Sequence, residues 1–295
     1  MKRIIVWLAV MMYTLSGYAQ NAPWNFQSKV VTDTLFSKVL NSKRAYTVFL
    51  PKSFEQNKEK KYPVLYLLHG MWETNPVWTE RGHVKDVMDR LVASGEACEM
   101  IIVTPNAGGN IHLEWNGYFD MPGWKYETFF YTEFLPYIEK KYRVIGDRQH
   151  RAIAGLSMGG YGSFLYSLHH PDMFCACAPL SAAVFDDTVM EARKARSHKD
   201  LFNRLFGPGD EHWKQNNVLK ILSDWDQNNL PKIRYYIDCG DDDGLLDGNM
   251  QVHQIMRQKG IRHEFRVRDG GHSWTYWRTA LPEVLKFVSQ TFCRS

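Results

Sequence analysis

The chain of 295 residues is long enough for one large domain or two small ones. Its hydrophobic fraction of 44% and charged fraction of 23% are average for globular proteins, which excludes bulk disorder. The net charge is only +4, and no basic run carries interleaved aromatic residues, which argues against a nucleic-acid partner.

The N-terminus has the pattern of an export signal. Lys2 and Arg3 precede an apolar run at residues 4–15, and Gly17 and Ala19 supply the small residues of a cleavage site. We expect a signal peptide at residues 1–19 and a secreted or periplasmic mature chain at residues 20–295. A membrane anchor is the alternative, but the run is short for a span, and no later segment reaches about 18 apolar residues.

In the rest of the chain, apolar runs alternate with amphipathic stretches, which predicts an α/β fold with a mostly parallel central sheet and helices on both faces. Strands are predicted at residues 30–37, 44–51, 63–70, 100–106, 150–156, 175–181, 233–240 and 263–271. Helices are predicted at residues 83–94, 131–142, 159–170 and 274–292. Residues 182–231 break this rhythm and predict an insertion over one edge of the sheet. Since the sequence shows no repeat or linker, we expect a single domain.

The stretch IAGLSMGGYG at residues 153–162 contains the pattern G-x-S-x-G between a predicted strand and a predicted helix. A sharp turn there would push the Ser157 side chain out of the sheet, and side chains two positions away would collide, so Gly155 and Gly159 fit the turn. Gly160 and Gly162 would let the following helix pack closely. This context predicts that Ser157 is a nucleophile.

A serine nucleophile needs a base and an acid, which follow in the order acid then base in this architecture. The predicted strand at 233–240 is followed by four acids: Asp241, Asp242, Asp243 and Asp247. His272 comes after the last predicted strand and two glycines, so it is the candidate base. On this reasoning the choice among the aspartates stays open. The acids lack the spacing of a calcium loop, and we expect no metal.

Two backbone N–H groups are candidates for an oxyanion hole. The strand at 63–70 ends before Met71, whose N–H could face the N–H of Met158. His69 at the end of this strand is an alternative base, although its place before a turn glycine favours a role in supporting the loop.

With these pieces the chain resembles the esterase D-like branch of the α/β-hydrolase superfamily. This branch includes tributyrin esterases, S-formylglutathione hydrolases, feruloyl and acetylxylan esterases of carbohydrate esterase family 1, and mycolyltransferases. The matching stretches are YPVLYLLHGM, GLSMGGYG, DCGDDDGLLDGN and GGHSWTYWR, and the resemblance covers about residues 46–292. It implies Ser157 as nucleophile, His272 as base and Asp243 as acid, since the acid of the family lies three residues past the strand-end glycine. It also implies Met71 and Met158 as oxyanion donors, and two-step acyl transfer without a cofactor.

An exported esterase meets extracellular esters, so the resemblance implies removal of feruloyl or acetyl groups from plant polysaccharide. Aromatic residues in loops after the strands could stack on a sugar or a feruloyl ring, or could simply pack the loops. The candidates for substrate contact are His69, Trp72, Trp78, Trp115, Tyr118 and Trp124.

Three alternatives remain: a broad short-chain carboxylesterase, an acyltransferase, and a non-catalytic carbohydrate-binding relative. The expected partner is a small or oligosaccharide ester, and the oligomeric state is open. Five cysteines are too few for a disulfide framework, and we expect buried free thiols.

Overall fold

The structure is a computed structural model that describes residues 27–110, 116–209, 211–226 and 232–293. The predicted signal peptide of residues 1–19 lies outside these ranges. Within them, no helix combines the length and the apolar character needed to cross a membrane.

The described residues contain ten strands: β1 (Lys29–Ser37), β2 (Ser42–Leu50), β3 (Val64–Leu68), β4 (Ile101–Pro105), β5 (Asp120–Met121), β6 (Trp124–Lys125), β7 (Arg151–Leu156), β8 (Ala176–Leu180), β9 (Arg234–Gly240) and β10 (His263–Arg268). Eight of them form the central sheet, in the spatial order β1-β2-β4-β3-β7-β8-β9-β10. The antiparallel β1 and β2 lie at one edge, and β2 also runs antiparallel to β4, while the remaining pairs are parallel. The two short strands β5 and β6 pair separately. The predicted mostly parallel sheet is confirmed.

The apolar runs of the central strands reflect burial on both faces of the sheet. Every residue of β3 is buried. Tyr66 belongs to the hydrophobic cluster on one face, and Leu65 and Leu67 belong to the cluster on the other. Because side chains alternate along a strand, a strand with apolar residues at every position requires helices on both sides.

Helices cover both faces of the sheet. In the described residues they are α1 (Ser53–Gln56), α2 (Val77–Glu80), α3 (Val84–Ala93), α4 (Tyr126–Phe129), α5 (Leu135–Lys141), α6 (Met158–His169), α7 (Asp187–Arg196), α8 (Lys199–Phe206), α9 (Glu211–Gln215), α10 (Val218–Asp224), α11 (Leu246–Gln258) and α12 (Trp274–Phe292). The helices α3 and α12 contribute to one hydrophobic cluster, and α6 and α11 contribute to the other. The expected arrangement of a mostly parallel sheet between helices is therefore present.

The helix predicted at residues 131–142 begins earlier in the structure. It starts as α4, continues through a π-helical turn at Phe130–Phe134, and ends as α5. Pro136 lies in the first turn of α5, directly after the π turn. Proline has no N–H to donate, so the wider turn before it accommodates a residue that would break a regular helix.

The segment between β8 and β9 contains four helices, α7 to α10. The sequence predicted an insertion over one edge of the sheet, and that placement needs correction. Phe185, Arg193, Leu205 and Phe206 from this segment line a pocket together with Ser157, at the carboxyl ends of the central strands. The segment therefore forms a wall over the site.

All five cysteines carry free thiols. Cys175, Cys177 and Cys239 are buried, as expected for packing residues, whereas Cys98 is half-buried and Cys293 is exposed. The prediction of buried free thiols thus holds for three of the five.

Candidate active site

Ser157 is the single residue between β7 and α6, and its backbone is strained. It has φ of 54° and ψ of −117°, which a residue with a side chain rarely adopts. A Cβ at Gly155 would lie 2.5 Å from the carbonyl oxygen of Gly159, and a Cβ at Gly159 would lie 2.5 Å from that of Leu68. The turn therefore requires glycine at both positions, as predicted.

The Ser157 side chain ends a chain of hydrogen bonds. His272 Nε2 lies 2.9 Å from Ser157 Oγ, and His272 Nδ1 lies 2.9 Å from Asp243 Oδ2. A carboxylate only accepts hydrogen bonds, so the Nδ1 atom carries the proton and the Nε2 lone pair faces the hydroxyl. This arrangement can remove the hydroxyl proton as the oxygen attacks a carbonyl carbon.

Asp243 is held as an anion by its surroundings. Its side chain is fully buried, which alone would raise the pKa. Hydrogen bonds from His272, from the Ser181 hydroxyl and from the Leu245 N–H outweigh that effect, and the pKa of Asp243 lies below the ordinary value. The Ser181 hydroxyl in turn accepts a hydrogen bond of 3.0 Å from the Trp277 indole. These contacts fix the carboxylate toward the imidazole.

The neighbouring acids occupy different surroundings. Asp241, Asp242 and Asp247 are exposed, and none of them is hydrogen-bonded to His272. Carboxylate oxygens of Asp241, Asp242 and Asp269 come within 4.8 Å of one another, which is close enough for a metal ion. Asp241 Oδ1 already accepts the N–H groups of Asp242 and Gly270, so this carboxylate serves the turn.

The two predicted oxyanion donors lie at the pocket beside Ser157. Met71 and Met158 both line it, and neither N–H donates a hydrogen bond to any other residue in the described ranges. They follow two adjacent parallel strands, since β3 ends three residues before Met71, β7 ends two residues before Met158, and Leu68 of β3 pairs with Gly155 of β7. Two free N–H groups beside a nucleophile can bind a developing oxyanion.

Glu73 holds the Met71 loop in place. Its carboxylate accepts the Gly70 N–H at 3.1 Å and the Trp274 indole N–H at 2.7 Å. Trp274 is two residues beyond His272, so Glu73 connects the loop that carries one candidate oxyanion donor to the helix that follows the candidate base. Sequence reasoning missed both Glu73 and Ser181, which carry no motif of their own.

The pocket at Ser157 has a volume of about 340 Å³. Its walls are mainly aromatic and aliphatic, and Ser157, Asp243 and His272 are among its polar lining residues. The lining residues include Phe119, Tyr161, Phe185, Leu205, Phe206 and Leu245, none of which the sequence singled out. An apolar pocket with a few convergent polar groups suits the acyl part of an ester. The apolar residues Phe202, Leu205 and Phe206 recur at helical spacing in α8 and were the available signal.

Three of the residues predicted to contact substrate are structural instead. His69 is fully buried, with Nδ1 bonded to the Gly70 carbonyl and Nε2 accepting the Ala107 N–H at 3.0 Å. Trp78 is also fully buried, and its indole donates to a β3 carbonyl. Trp124 is 6% exposed and donates to the Gly117 carbonyl. Each of the three rings is buried and hydrogen-bonds backbone groups, which favours the alternative of packing over substrate contact.

The other aromatic candidates differ in position. Tyr118 lines the pocket, and its hydroxyl bonds the backbone of His69. Trp72 follows Met71, has φ of 69° and is 52% exposed. Trp115 lies outside the described residues. Tyr118 is fully buried like His69 and Trp78, so Trp72 is the exposed one among the described aromatic candidates for substrate contact.

Replacing Gly159 by alanine should damage both stability and the site. The added Cβ would lie 2.5 Å from the Leu68 carbonyl oxygen and 2.6 Å from the His69 carbonyl oxygen. These backbone atoms lead into the Met71 loop and must move, so we expect a loss of about 1–3 kcal/mol in unfolding free energy. Urea unfolding measures it. The control is Gly244→Ala, where the Cβ enters open space, with an expected change within about 0.5 kcal/mol. Equal losses in the two variants would contradict the close approach at Gly159.

Comparison with known proteins gives a consistent result. The model of the family described as "Putative esterase" matches residues 37–288. An endo-1,4-beta-xylanase/feruloyl esterase of Xylanibacter ruminicola is 30% identical over 256 residues, which is 85% of this chain and 30% of the relative. The chain thus spans about a third of that protein. An acetyl esterase of Caldicellulosiruptor saccharolyticus is 23% identical over 86% of this chain and 96% of its own length.

A solved structure of a ferulic acid esterase is 67% identical, with a TM-score of 0.82, and the match covers 90% of this chain and 100% of that one. The chain therefore has an α/β-hydrolase-like fold.

Proposed function

The chain belongs to the Esterase family and is an esterase, and from this membership we propose that it is a serine carboxylic-ester hydrolase that releases feruloyl or acetyl groups from plant polysaccharide. The observation that carries the proposal is the 2.9 Å contact between Ser157 Oγ and His272 Nε2 in an apolar pocket. Acyl transfer needs both features. The contact lets His272 take the Ser157 proton, and the pocket holds the acyl group.

In the proposed mechanism, His272 takes the Ser157 proton while the oxygen attacks the ester carbonyl. The oxyanion is bound by the N–H groups of Met71 and Met158, and Asp243 stabilises the imidazolium. His272 then gives its proton to the departing alcohol oxygen, and the acyl group stays on Ser157. Water repeats the attack with His272 as base, and the acid is released. Every proton moves through His272, so no cofactor is required.

The aromatic acyl group is supported by two findings. The relative with 67% identity is a ferulic acid esterase. Phe119, Tyr161 and Phe206 give the pocket walls that an aromatic ring can pack against. Trp72 stands beside the proposed oxyanion donor with half of its surface exposed, so it is our candidate for contact with substrate outside the pocket.

Export is also part of the proposal. Residues 1–19 have the basic, apolar and small-residue order of a signal peptide, and polysaccharide esters are extracellular. We therefore propose a secreted or periplasmic enzyme whose mature chain starts near Gln20. N-terminal sequencing of the exported protein would give the cleavage site, and recovery of the chain starting at Met1 would contradict export with cleavage.

Methyl ferulate and methyl butyrate test the acyl preference, because they share a leaving group. The feruloyl ring buries more apolar surface in the pocket, so we expect kcat/KM for methyl ferulate to be at least about tenfold higher. Acetylated xylan is the third substrate and tests deacetylation. A higher value for methyl butyrate would contradict the feruloyl proposal and favour a broad short-chain carboxylesterase.

A further inference from the structure

A groove adjoins the pocket at Ser157 and is not used by the mechanism above. It has a volume of about 330 Å³ and lies between α7 and the first turns of α11. It shares Phe185, Arg193, Gly244 and Leu245 with the pocket. The two cavities are therefore neighbours that share these four residues.

Two of the shared residues adjoin the acid of the site. Gly244 and Leu245 directly follow Asp243, which is bonded to His272. The departing alcohol oxygen takes its proton from His272 in the proposed mechanism, so the alcohol half of an ester leaves next to this imidazole. The shared residues near the Asp243–His272 pair therefore favour the alcohol over the acyl group as the occupant of the groove.

Apolar surface is one part of the groove lining. Val189 and Met250 are 42% and 41% exposed, which is unusual for large apolar side chains, and both line the groove with Phe185. Exposed apolar surface beside a binding pocket is typical of a site that a ligand covers. Sugar rings present C–H faces that pack on such side chains.

Hydrogen-bond donors and acceptors complete the lining of the groove. The Arg193 guanidinium stacks over the Phe185 ring at 4.0 Å, and no carboxylate of the described residues pairs with it. Gln254 offers an exposed amide, and Asp247 offers an exposed carboxylate. Hydroxyl groups donate and accept hydrogen bonds, so they match this mixture, whereas an anion would be repelled by the carboxylate and a lipid chain would leave the polar groups unsatisfied.

We propose that this groove binds a neutral oligosaccharide, the alcohol half of the ester, with Arg193 among the shared residues and Met250 and Gln254 on α11 in the groove alone. The proposal rests on the proposed function, because it assumes a sugar ester as substrate. It goes beyond that function by assigning the sugar to a site separate from the acyl pocket.

The test uses the double variant Met250→Ala/Gln254→Ala. Both side chains are exposed, so folding should be unaffected. We expect kcat/KM for a feruloylated xylo-oligosaccharide to fall about tenfold, since the sugar loses a hydrogen bond and apolar contact. Methyl ferulate, which has no sugar, should change less than twofold. Gln258→Ala, on the same helix and exposed but outside the groove, should leave both substrates unchanged.

Loss on methyl ferulate equal to that on the oligosaccharide, or no loss on either, would overturn the groove assignment. A second measurement needs no hydrolysis. NMR titration measures the binding of an unesterified xylo-oligosaccharide to the Ser157→Ala protein. Binding that disappears with Met250→Ala/Gln254→Ala and persists with Gln258→Ala supports the groove, and absence of binding overturns it. Failure of the wild-type protein to cleave methyl ferulate would contradict the feruloyl proposal alone.

Discussion

Ser157→Ala is expected to lower kcat for p-nitrophenyl acetate by roughly 100,000-fold or more. The alanine removes the only oxygen within hydrogen-bond distance of His272 Nε2 among the described residues. No acyl-enzyme can then form, and what remains is the small rate that substrate binding and oxyanion stabilisation give to attack by water, about 1,000-fold over the uncatalysed reaction. Steady-state kinetics with purified protein measures the loss.

His272→Ala is the companion variant. Since Ser157 and His272 act on the same proton, the double variant should be about as slow as either single variant, with no further multiplication of the losses. Circular dichroism and urea unfolding serve as folding controls. Full turnover by Ser157→Ala would show that another residue carries the nucleophile and would refute the site.

The sheet could be predicted from the sequence because its signals are local. The run at residues 63–70 is continuous and apolar, and the structure buries all of β3 on both faces. The motif around Ser157 is also local, because the strand, the turn and the helix are consecutive. His272 and the aspartates after β9 could be associated with it across the chain because parallel strands bring their carboxyl ends to one edge of the sheet. The choice of Asp243 among those aspartates came from the family resemblance.

Contacts between distant segments could not be predicted in this way. The bond from Trp277 to Ser181 joins residues 96 apart, and the bond from Trp274 to Glu73 joins residues 201 apart. No spacing rule connects such pairs. The walls of the pocket contributed by α7 and α8 depend likewise on how the segment after β8 folds back over the strand ends, which periodicity does not encode.

The roles of the aromatic residues near strand ends could not be predicted from the sequence either. Trp72, Trp78 and Trp124 all occur near strand ends in the sequence, yet Trp72 is 52% exposed and Trp78 is fully buried. Trp78 lies in the short helix α2, and its indole N–H donates a hydrogen bond to a carbonyl of β3. Composition cannot separate an aromatic residue that contacts substrate from one that supports a loop, because both are apolar with a polar tip.

Asp243→Asn is expected to lower kcat for p-nitrophenyl acetate by about 10,000-fold while leaving KM nearly unchanged. The exposed neighbour supplies a matched control, since Asp242→Asn makes the same chemical change one residue away, outside the hydrogen bonds to His272. We expect Asp242→Asn to retain activity within about twofold. A larger loss for Asp242→Asn than for Asp243→Asn would contradict the assignment of the acid.

The expected loss of kcat in Asp243→Asn follows from the hydrogen bonds that each carboxylate oxygen of Asp243 accepts. The Leu245 N–H donates to Oδ1 at 2.9 Å, and His272 Nδ1 lies 2.9 Å from Oδ2 and 3.1 Å from Oδ1, so Oδ2 is the nearer partner of the imidazole. In the asparagine variant the remaining carbonyl oxygen is needed by Leu245, so the amide nitrogen takes the position of Oδ2 and donates to Nδ1. The imidazole must then carry its proton on Nε2, facing Ser157, and cannot accept the hydroxyl proton. The variant thus keeps the shape of the site and loses the tautomer that the reaction requires.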